Sequence, residues 1–458
     1  MTNSTDLLEQ KLARYRERGV SRIQLGLTDI DGVIRGKYVS LDKFVGLMEK
    51  GGGFCDCVFG WDVDDHLYDT GVYTGWQTGF PDARFRLLTD SERWLADEGC
   101  PFFIGEFVGD DGGPHPLCPR TRLRLMLERL GKLGLTMKSG FEYEFFVFAE
   151  TPHSIRDKGY RNLVPISPGN FGYSVLRASS MAEEFSGLME FCQSIDCDVE
   201  ALHCETGPGV WEAALHATDA LQAADRANLF KTFTKVFFSR RDRVATFMAK
   251  WSMDYPGQSG HFHFSLLDEN QRNVFFDAEA DMNMSALHKS AVAGLERYLP
   301  EYLALIAPTI NSYTRLVKGA WAPIASSWGV ENRTAAIRVI PGSESVQRIE
   351  CRVPGADANP YLVAVAVCAA CLGGIEEQLV PGEPVTGNAY DVVDTLPATQ
   401  QFATNLRSAA ARMDASAHAR SMLGDAFVDH FVMTRRWECA EYERSLNSWQ
   451  LERYFEII

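Results

Sequence analysis

Residues 141–145, Phe-Glu-Tyr-Glu-Phe, constrain this chain more than any other stretch. In an extended strand successive side chains point to opposite faces, so Glu142 and Glu144 share one face while Phe141, Tyr143 and Phe145 share the other. Carboxylates that close repel each other and resist burial unless something positive stands beside them. A divalent cation, an arginine or plain solvent would serve, and for an isolated Glu-x-Glu a solvated strand face is enough. Here the same period-two pattern recurs in three more stretches with other polar side chains.

His203-Cys204-Glu205 puts His203 and Glu205 on one face, with Glu212 following the turn Gly207-Pro208-Gly209. In 260–265, Gly-His-Phe-His-Phe-Ser, alternation sends His261, His263 and Ser265 one way and the phenylalanines the other. Arg348, Glu350 and Arg352 alternate in the same manner, and Arg315, Arg333 and Arg338 lie in the short motifs NSYTRL and ENRTAAIR. Each stretch alone is ordinary. Together they predict a sheet or partial barrel whose inner face carries carboxylates, imidazoles and guanidiniums, a face a packed core would not tolerate without a ligand. Carboxylate-rich sets with an imidazole suit Mg²⁺ or Mn²⁺ better than zinc, and arginines beside such ions suit a transferring phosphoryl group. Neither GxxxxGK[ST] nor a strand-linked GxGxxG is present, so a nucleotide would be held without those loops.

A formal net charge of −16 argues against a nucleic-acid surface. The longest apolar stretch, Tyr361 to Leu372, is too short to span a bilayer, and the charged start of the chain reads neither as a signal peptide nor as an anchor. Eleven scattered cysteines make a poor disulfide framework and fit a reducing cytoplasm; Cys368 and Cys371 read as buried helix residues.

The expected organisation is α+β. Helices are predicted at 7–18, 41–50, 120–133, 182–194, 217–240, 286–299 and 359–375, and the tail 398–458 is expected to be helical. Strands 21–30 and 33–40 flank Asp31-Gly32 as a two-residue hairpin turn. Residues 151–171 read as an irregular loop, and the turn-rich run 110–116 divides an N-terminal domain (1–111) from a catalytic domain (112–458).

In order along nearly the whole chain, FEYEFF, HCETGPGVWE, ATFMAK with GQSGHFHFSL, NSYTRL, ENRTAAIR and RIECRVPGADANPYL resemble the motifs of the glutamine synthetase superfamily, bacterial class I type. The resemblance implies a β-grasp N-terminal domain and an α/β catalytic domain with a curved antiparallel sheet, assembled as two stacked hexamers with shared sites. It implies one metal on Glu144, Glu205 and Glu212 and a second on Glu142, His261 and Glu350. Glutamate would meet Gly257, Arg315 and Arg352; ATP would lie by His263, Ser265 and Arg348, with Arg333 and Arg338 on its phosphates. ATP would phosphorylate the γ-carboxylate of glutamate, and an amine would then attack the acyl phosphate.

The departures point to the acceptor. Where glutamine synthetases continue NSYKRL with PGYEAP, this chain has Trp321 in place of the acidic residue; Val210 replaces the amide of GPGQFE; and of the DGSS latch only Asp62 persists as an acid at the acceptor. An indole carries no charge and accepts no proton, but offers a flat apolar wall. The expected acceptor is therefore an organic amine, a small alkyl monoamine, in a pocket of Trp321, Val210, Asp62, Tyr173 and Trp61. The alternatives are ammonia, as in ordinary glutamine synthetase, a polyamine with Asp64 and Asp65 at its far end, or a non-catalytic glutamate- or nucleotide-binding assembly.

Overall fold

The computed structural model describes residues 4–458 and is α+β, built on two sheets. The first has the strand order Ile34–Ser40, Arg22–Thr28, Cys100–Phe107, Asp82–Leu87, Gly52–Cys55, with Arg93–Leu95 added on Cys100–Phe107. Its centre is parallel, Arg22–Thr28 beside Cys100–Phe107, and its other pairings are antiparallel. Asp82–Leu87 alternates exposed and buried residues because one face packs on the apolar stripe of helix Leu41–Lys50, with Phe44, Phe85, Phe103 and Phe107 in that core.

The second sheet has nine strands among the described residues and curls strongly into a half-barrel. Its axis is the thirteen-residue strand Thr136–Phe148. One edge of that strand pairs with Gly260–Leu267 and Val244–Thr246, the other with Val210–Leu215 and Thr218–Asp219. Outward, Phe141, Tyr143 and Phe145 are buried in the main core, where Tyr143 and Phe145 meet Phe230 of helix Ala220–Ser239 and Phe247. The aromatic side of the motif thus anchors the strand and leaves its carboxylate side facing away from the helices.

Helix Pro360–Glu376 is buried through residue 374, which explains why its sequence is apolar all round. Asn359 caps it as expected, its side chain accepting from the Tyr361 amide at 3.0 Å, and Cys368 and Cys371 are fully buried within it. The neighbouring helix runs from Ala286 to Ile306, past the stop expected at Leu299, and carries Pro300 inside. Its buried face packs on 360–376, so tertiary burial outweighs the proline's lost hydrogen bond.

Two other expectations change. The hairpin turn is not two residues: strands end at Thr28 and restart at Ile34, and residues 29–33 form a loop in which the Asp29 side chain accepts from the Asp31 and Val33 amides at 3.0 and 2.9 Å. That loop docks the first sheet on the rest of the chain. Asn359 donates to the Asp29 and Ile30 carbonyls, Arg435 pairs with Asp31, and a Cβ on Gly32, whose φ is +84°, would lie 3.1 Å from Asn359 Cα. The loop predicted over 151–171 contains a short helix, Pro152–Asp157, closed by a capping box on Thr151 and Ser154, a signal present in the sequence but brief enough to pass for a turn.

Three buried imidazoles give the fold an acid sensitivity. Burial lowers His288 to about 3; burial and the nearby Arg122 lower His115 to about 4; burial, Arg435 and His115 lower His430 to about 3. Each folded value lies below the unfolded value of ~6.5, so the neutral form is favoured in the fold and stability is lost as pH falls through and below ~6.5. The unfolding midpoint is expected to drop between pH 7.5 and 5 at fixed ionic strength, and the His430→Leu variant to show a shallower slope; equal slopes would count against this origin.

Candidate active site

Strand register assembles the polar residues in three rows across the second sheet. Arg338 stands opposite Glu350, and Glu350 opposite His263, beside Gly140 of the central strand. One step along, His261 is opposite Glu142. One step further, Glu144 faces Glu212, and Glu212 faces His203. Rows two residues apart share a face, so all of these side chains reach the same surface.

Two groups of donors emerge, each with its ligand atoms within 4.8 Å of one another: Glu142, His263 and Glu350, and His203, Glu205 and Glu212. His261 bridges the first, with Nδ1 3.3 Å from Glu142 Oε2 and 3.4 Å from Glu350 Oε1. His263 Nε2 lies 3.3 Å from the same Glu142 oxygen, so the imidazole expected beside ATP is also within reach of this group. His203 Nε2 is 3.3 Å from Glu205 and 3.8 Å from Glu212. Alternation in the sequence puts His203 on this face but gives it no role; its register opposite Glu212 supplies the missing signal. Glu144 is opposite Glu212, but its Oε2 accepts from the Ser259 amide and hydroxyl at 2.6 and 2.7 Å.

The charges in this surface test whether the donors fit a cation. Burial, a hydrogen bond with Glu142 and the charges of Glu142, Glu144 and Glu205 push the Glu212 carboxyl up to about 11. Burial acts the same way on Glu142, but hydrogen bonds from His261, His263 and Glu212 outweigh it and hold Glu142 well below the usual range. Glu350, raised by burial, is brought to about 2 by His261, Arg352, His263 and Arg338. Carboxylates that crowd until one must keep a proton are a hard, anionic donor set, and a divalent cation on oxygen and imidazole ligands relieves that repulsion. The residues therefore fit such ions.

The arginines divide by burial. Arg315 is 3% exposed and donates to the Val353 and Arg352 carbonyls at 2.8 and 3.3 Å. Gly257 makes room for it: a Cβ there would meet Arg315 Cγ at 2.6 Å and the Ala249 carbonyl at 2.8 Å. Arg352 pairs with Glu350 and donates to the Arg333 carbonyl at 3.0 Å. Arg338 donates to Glu350 at 2.9 Å and pairs with Glu331, while the Arg333 side chain is exposed. Arg348 Nε approaches His263 Nδ1 at 3.4 Å, and the Ser265 hydroxyl donates to the Gln347 carbonyl at 3.0 Å, so these three gather at the next row.

The acceptor-side residues are dispersed. Tyr173, with φ of +56°, stacks on His203 at 4.5 Å. Val210 is buried with Phe146 and Phe148, on the carboxylate face just beyond Glu144 and Glu212. Trp321 is 64% exposed on the loop after Arg315, with φ of +56°. Trp61 and Asp62 belong to the first sheet's surroundings. Arg35 lies over the Trp61 ring, and the Asp62 carboxylate accepts from the Asp64 and His66 amides at 2.9 Å and from Trp437 Nε1 at 3.0 Å. In a single chain Asp62 therefore acts as a turn-forming residue pinned to helix Asp425–Arg444.

Comparison with known proteins shows the family. The model of the glutamine synthetase catalytic domain matches residues 116–454. The chain is 42% identical over 445 residues to type-1 glutamine synthetase 2 of Dictyostelium discoideum, covering 95% of this chain and 84% of that one. It is 35% identical to glutamate–isopropylamine ligase of a Pseudomonas species over 96% of both chains. It is 34% identical to γ-glutamylethanolamide synthetase of Streptomyces coelicolor, over 95% of this chain and 93% of that one. A solved complex of GmaS with ADP superposes with a TM-score of 0.83 at 26% identity, covering 97% and 99% of the two chains. No helix among the described residues is long and apolar enough to cross a membrane. A curled sheet whose inner rows converge carboxylates and imidazoles, under arginines from three following segments, together with these matches, makes the chain a member of the glutamine synthetase family of ATP-dependent ligases.

Proposed function

We propose that the protein joins the γ-carboxylate of L-glutamate to a small alkyl monoamine, using ATP with Mg²⁺ or Mn²⁺. A γ-carboxylate oxygen of glutamate attacks the terminal phosphorus of ATP and ADP leaves. The amine nitrogen then attacks the acyl carbon of γ-glutamyl phosphate, gives up a proton, and phosphate departs. Glu142, His261, His263 and Glu350 would hold one ion and His203, Glu205, Glu212 and Glu144 another, and when bound these ions neutralise the charge of the two anions that must meet.

In this reading Arg352, oriented by Glu350, receives the glutamate carboxylate. Arg315, seated against Gly257, fixes the backbone from which Arg352 projects. His263, Ser265 and Arg348 lie along the nucleotide, and Arg333 and Arg338 stand at the phosphates, where the guanidinium of Arg338, held by Glu331 and Glu350, favours the spread charge of phosphoryl transfer. Trp61 and Asp62 would reach the acceptor of a neighbouring subunit in a dodecamer of two stacked hexamers.

The observation that carries the choice of acceptor is Trp321. Its loop continues directly from Arg315, and the Ala322 carbonyl next to it accepts from Tyr390, a residue close enough to Arg315 and Arg352 to feel their charges. An uncharged indole on the loop that follows Arg315, with Val210 on an apolar patch of the carboxylate face, suits an alkyl group better than an ammonium ion. Relatives named for isopropylamine and ethanolamide support this, whereas the 42% identity to a protein named glutamine synthetase favours ammonia as the second reading.

ADP release with glutamate and ATP across a panel of isopropylamine, ethylamine, ethanolamine, putrescine and ammonium separates the two. An alkyl monoamine is expected to exceed ammonium in kcat/KM by at least ~10-fold, and ammonium leading the panel would overturn the proposal. Trp321→Ala is expected to raise KM for the preferred amine roughly tenfold with kcat nearly kept, because the indole offers the amine an apolar wall and takes no proton from it. Glu350→Ala should abolish glutamate-dependent ATP turnover and shrink the thermal shift that Mn²⁺ produces in the wild type; an undiminished shift would remove Glu350 from the ion site. Gly257→Ala, by displacing Arg315, should raise KM for glutamate at least ~10-fold while KM for ATP moves little.

A further inference from the structure

Residues 385–391 belong to none of the polar motifs, yet they bridge two loops of the site. On one side Asn332 Nδ2 donates to the Val385 and Gly387 carbonyls at 3.0 and 2.8 Å, and the Ala389 amide donates to Thr334 Oγ1 at 2.8 Å. These hydrogen bonds flank Arg333. On the other side the Tyr390 hydroxyl donates to the Ala322 carbonyl at 2.9 Å, and Lys318 Nζ stands 3.9 Å from Asp391 Oδ1, so the bridge also grips the loop that carries Trp321.

Tyr390 is fixed at its own end. It sits in a short 3₁₀ turn whose Asn388 side chain accepts from the Tyr390 amide at 3.2 Å, and it is 8% exposed. Burial raises its phenol, and the charges of Arg315 and Arg352 oppose that rise. Trp321 has the opposite character: exposed, and held at a φ of +56°, in the left-handed region where a bulky L-residue is strained. Such a conformation persists only when the neighbouring backbone is held. The hydrogen bond on Ala322, the next residue, does this.

We propose that Tyr390 is a positioning residue for acceptor recognition. Its hydroxyl holds the Trp321 loop, and the 385–391 bridge keeps that loop in register with the Arg333 loop. The proposal deepens the acceptor reading and rests on it.

The test is Tyr390→Phe in the full chain, which keeps the ring and deletes the hydroxyl, assayed with isopropylamine beside Trp321→Ala and the double variant. Tyr390→Phe is expected to raise KM for isopropylamine roughly three- to tenfold, with kcat and KM for glutamate within about twofold. Backbone hydrogen exchange should quicken over residues 316–324 and stay unchanged over 337–340. In the Trp321→Ala background the same change should add little, because the group being positioned is gone. Unchanged exchange over 316–324 overturns the positioning role whichever acceptor is used. So does an equal rise in KM for glutamate, or a full additional effect in the Trp321→Ala background. If Trp321→Ala itself leaves the amine KM unmoved while Tyr390→Phe still loosens 316–324, the acceptor reading fails and the structural link survives, so the two failures are distinguishable.

Discussion

The register of the strand Thr136–Phe148 is the constraint on which the site depends. Because Glu142 lies opposite His261 and Glu144 opposite Glu212, a shift of one residue would turn every carboxylate into the aromatic core and every phenylalanine into the site. Phe141, Tyr143 and Phe145 prevent that shift. Burial of Tyr143 and Phe145 against Phe230 and Phe247, and of Phe141 against Phe262, favours this one register, at about 25 cal/mol per Å² of apolar surface removed from water. The apolar side of the strand thus holds the polar side in an arrangement that would not assemble on its own.

The same economy of position runs through the arginines. Glu350 is buried and shared among Arg338, Arg352 and the two imidazoles, so guanidiniums that would otherwise swing freely stay aimed over the carboxylate rows. Arg315, deeper still, works on backbone carbonyls and sets the end of strand Arg348–Cys351. In the proposed function, guanidiniums held this way would need no reorganisation when charge develops in phosphoryl transfer. Outside the site, the loop Asp29–Val33 joins the first sheet to the start of helix Pro360–Glu376, so the two sheets are braced through one capped helix end.

Much of this is legible in the sequence because period-two alternation is a local property. FEYEF, GHFHFS and RIECR each announce which side chains share a face, and the strands follow accordingly. Helix 360–376, its Asn-Pro start and its buried cysteines are equally readable. Pro300 misleads because a breaker's local cost is visible in sequence, whereas the burial that outweighs it comes from a helix some sixty residues away. Asp31-Gly32 misleads because Asp29 forms its own loop with side-chain hydrogen bonds and then docks on Asn359, a partner more than three hundred residues distant.

By itself the sequence determined the residue types available as donors and the face each one shares with its near neighbours, since these follow from residue type and alternation, while the resemblance of its ordered motifs pointed to the family. Which donors meet was decided only by tertiary structure. His203 joins Glu205 and Glu212, His263 reaches Glu142, Glu144 is taken up by Ser259, and Tyr390 reaches back to Ala322. Those encounters depend on pairing between strands and loops far apart in the chain. Cross-strand register and loop packing, unlike alternation, are settled by the burial of the whole core and not by any one segment.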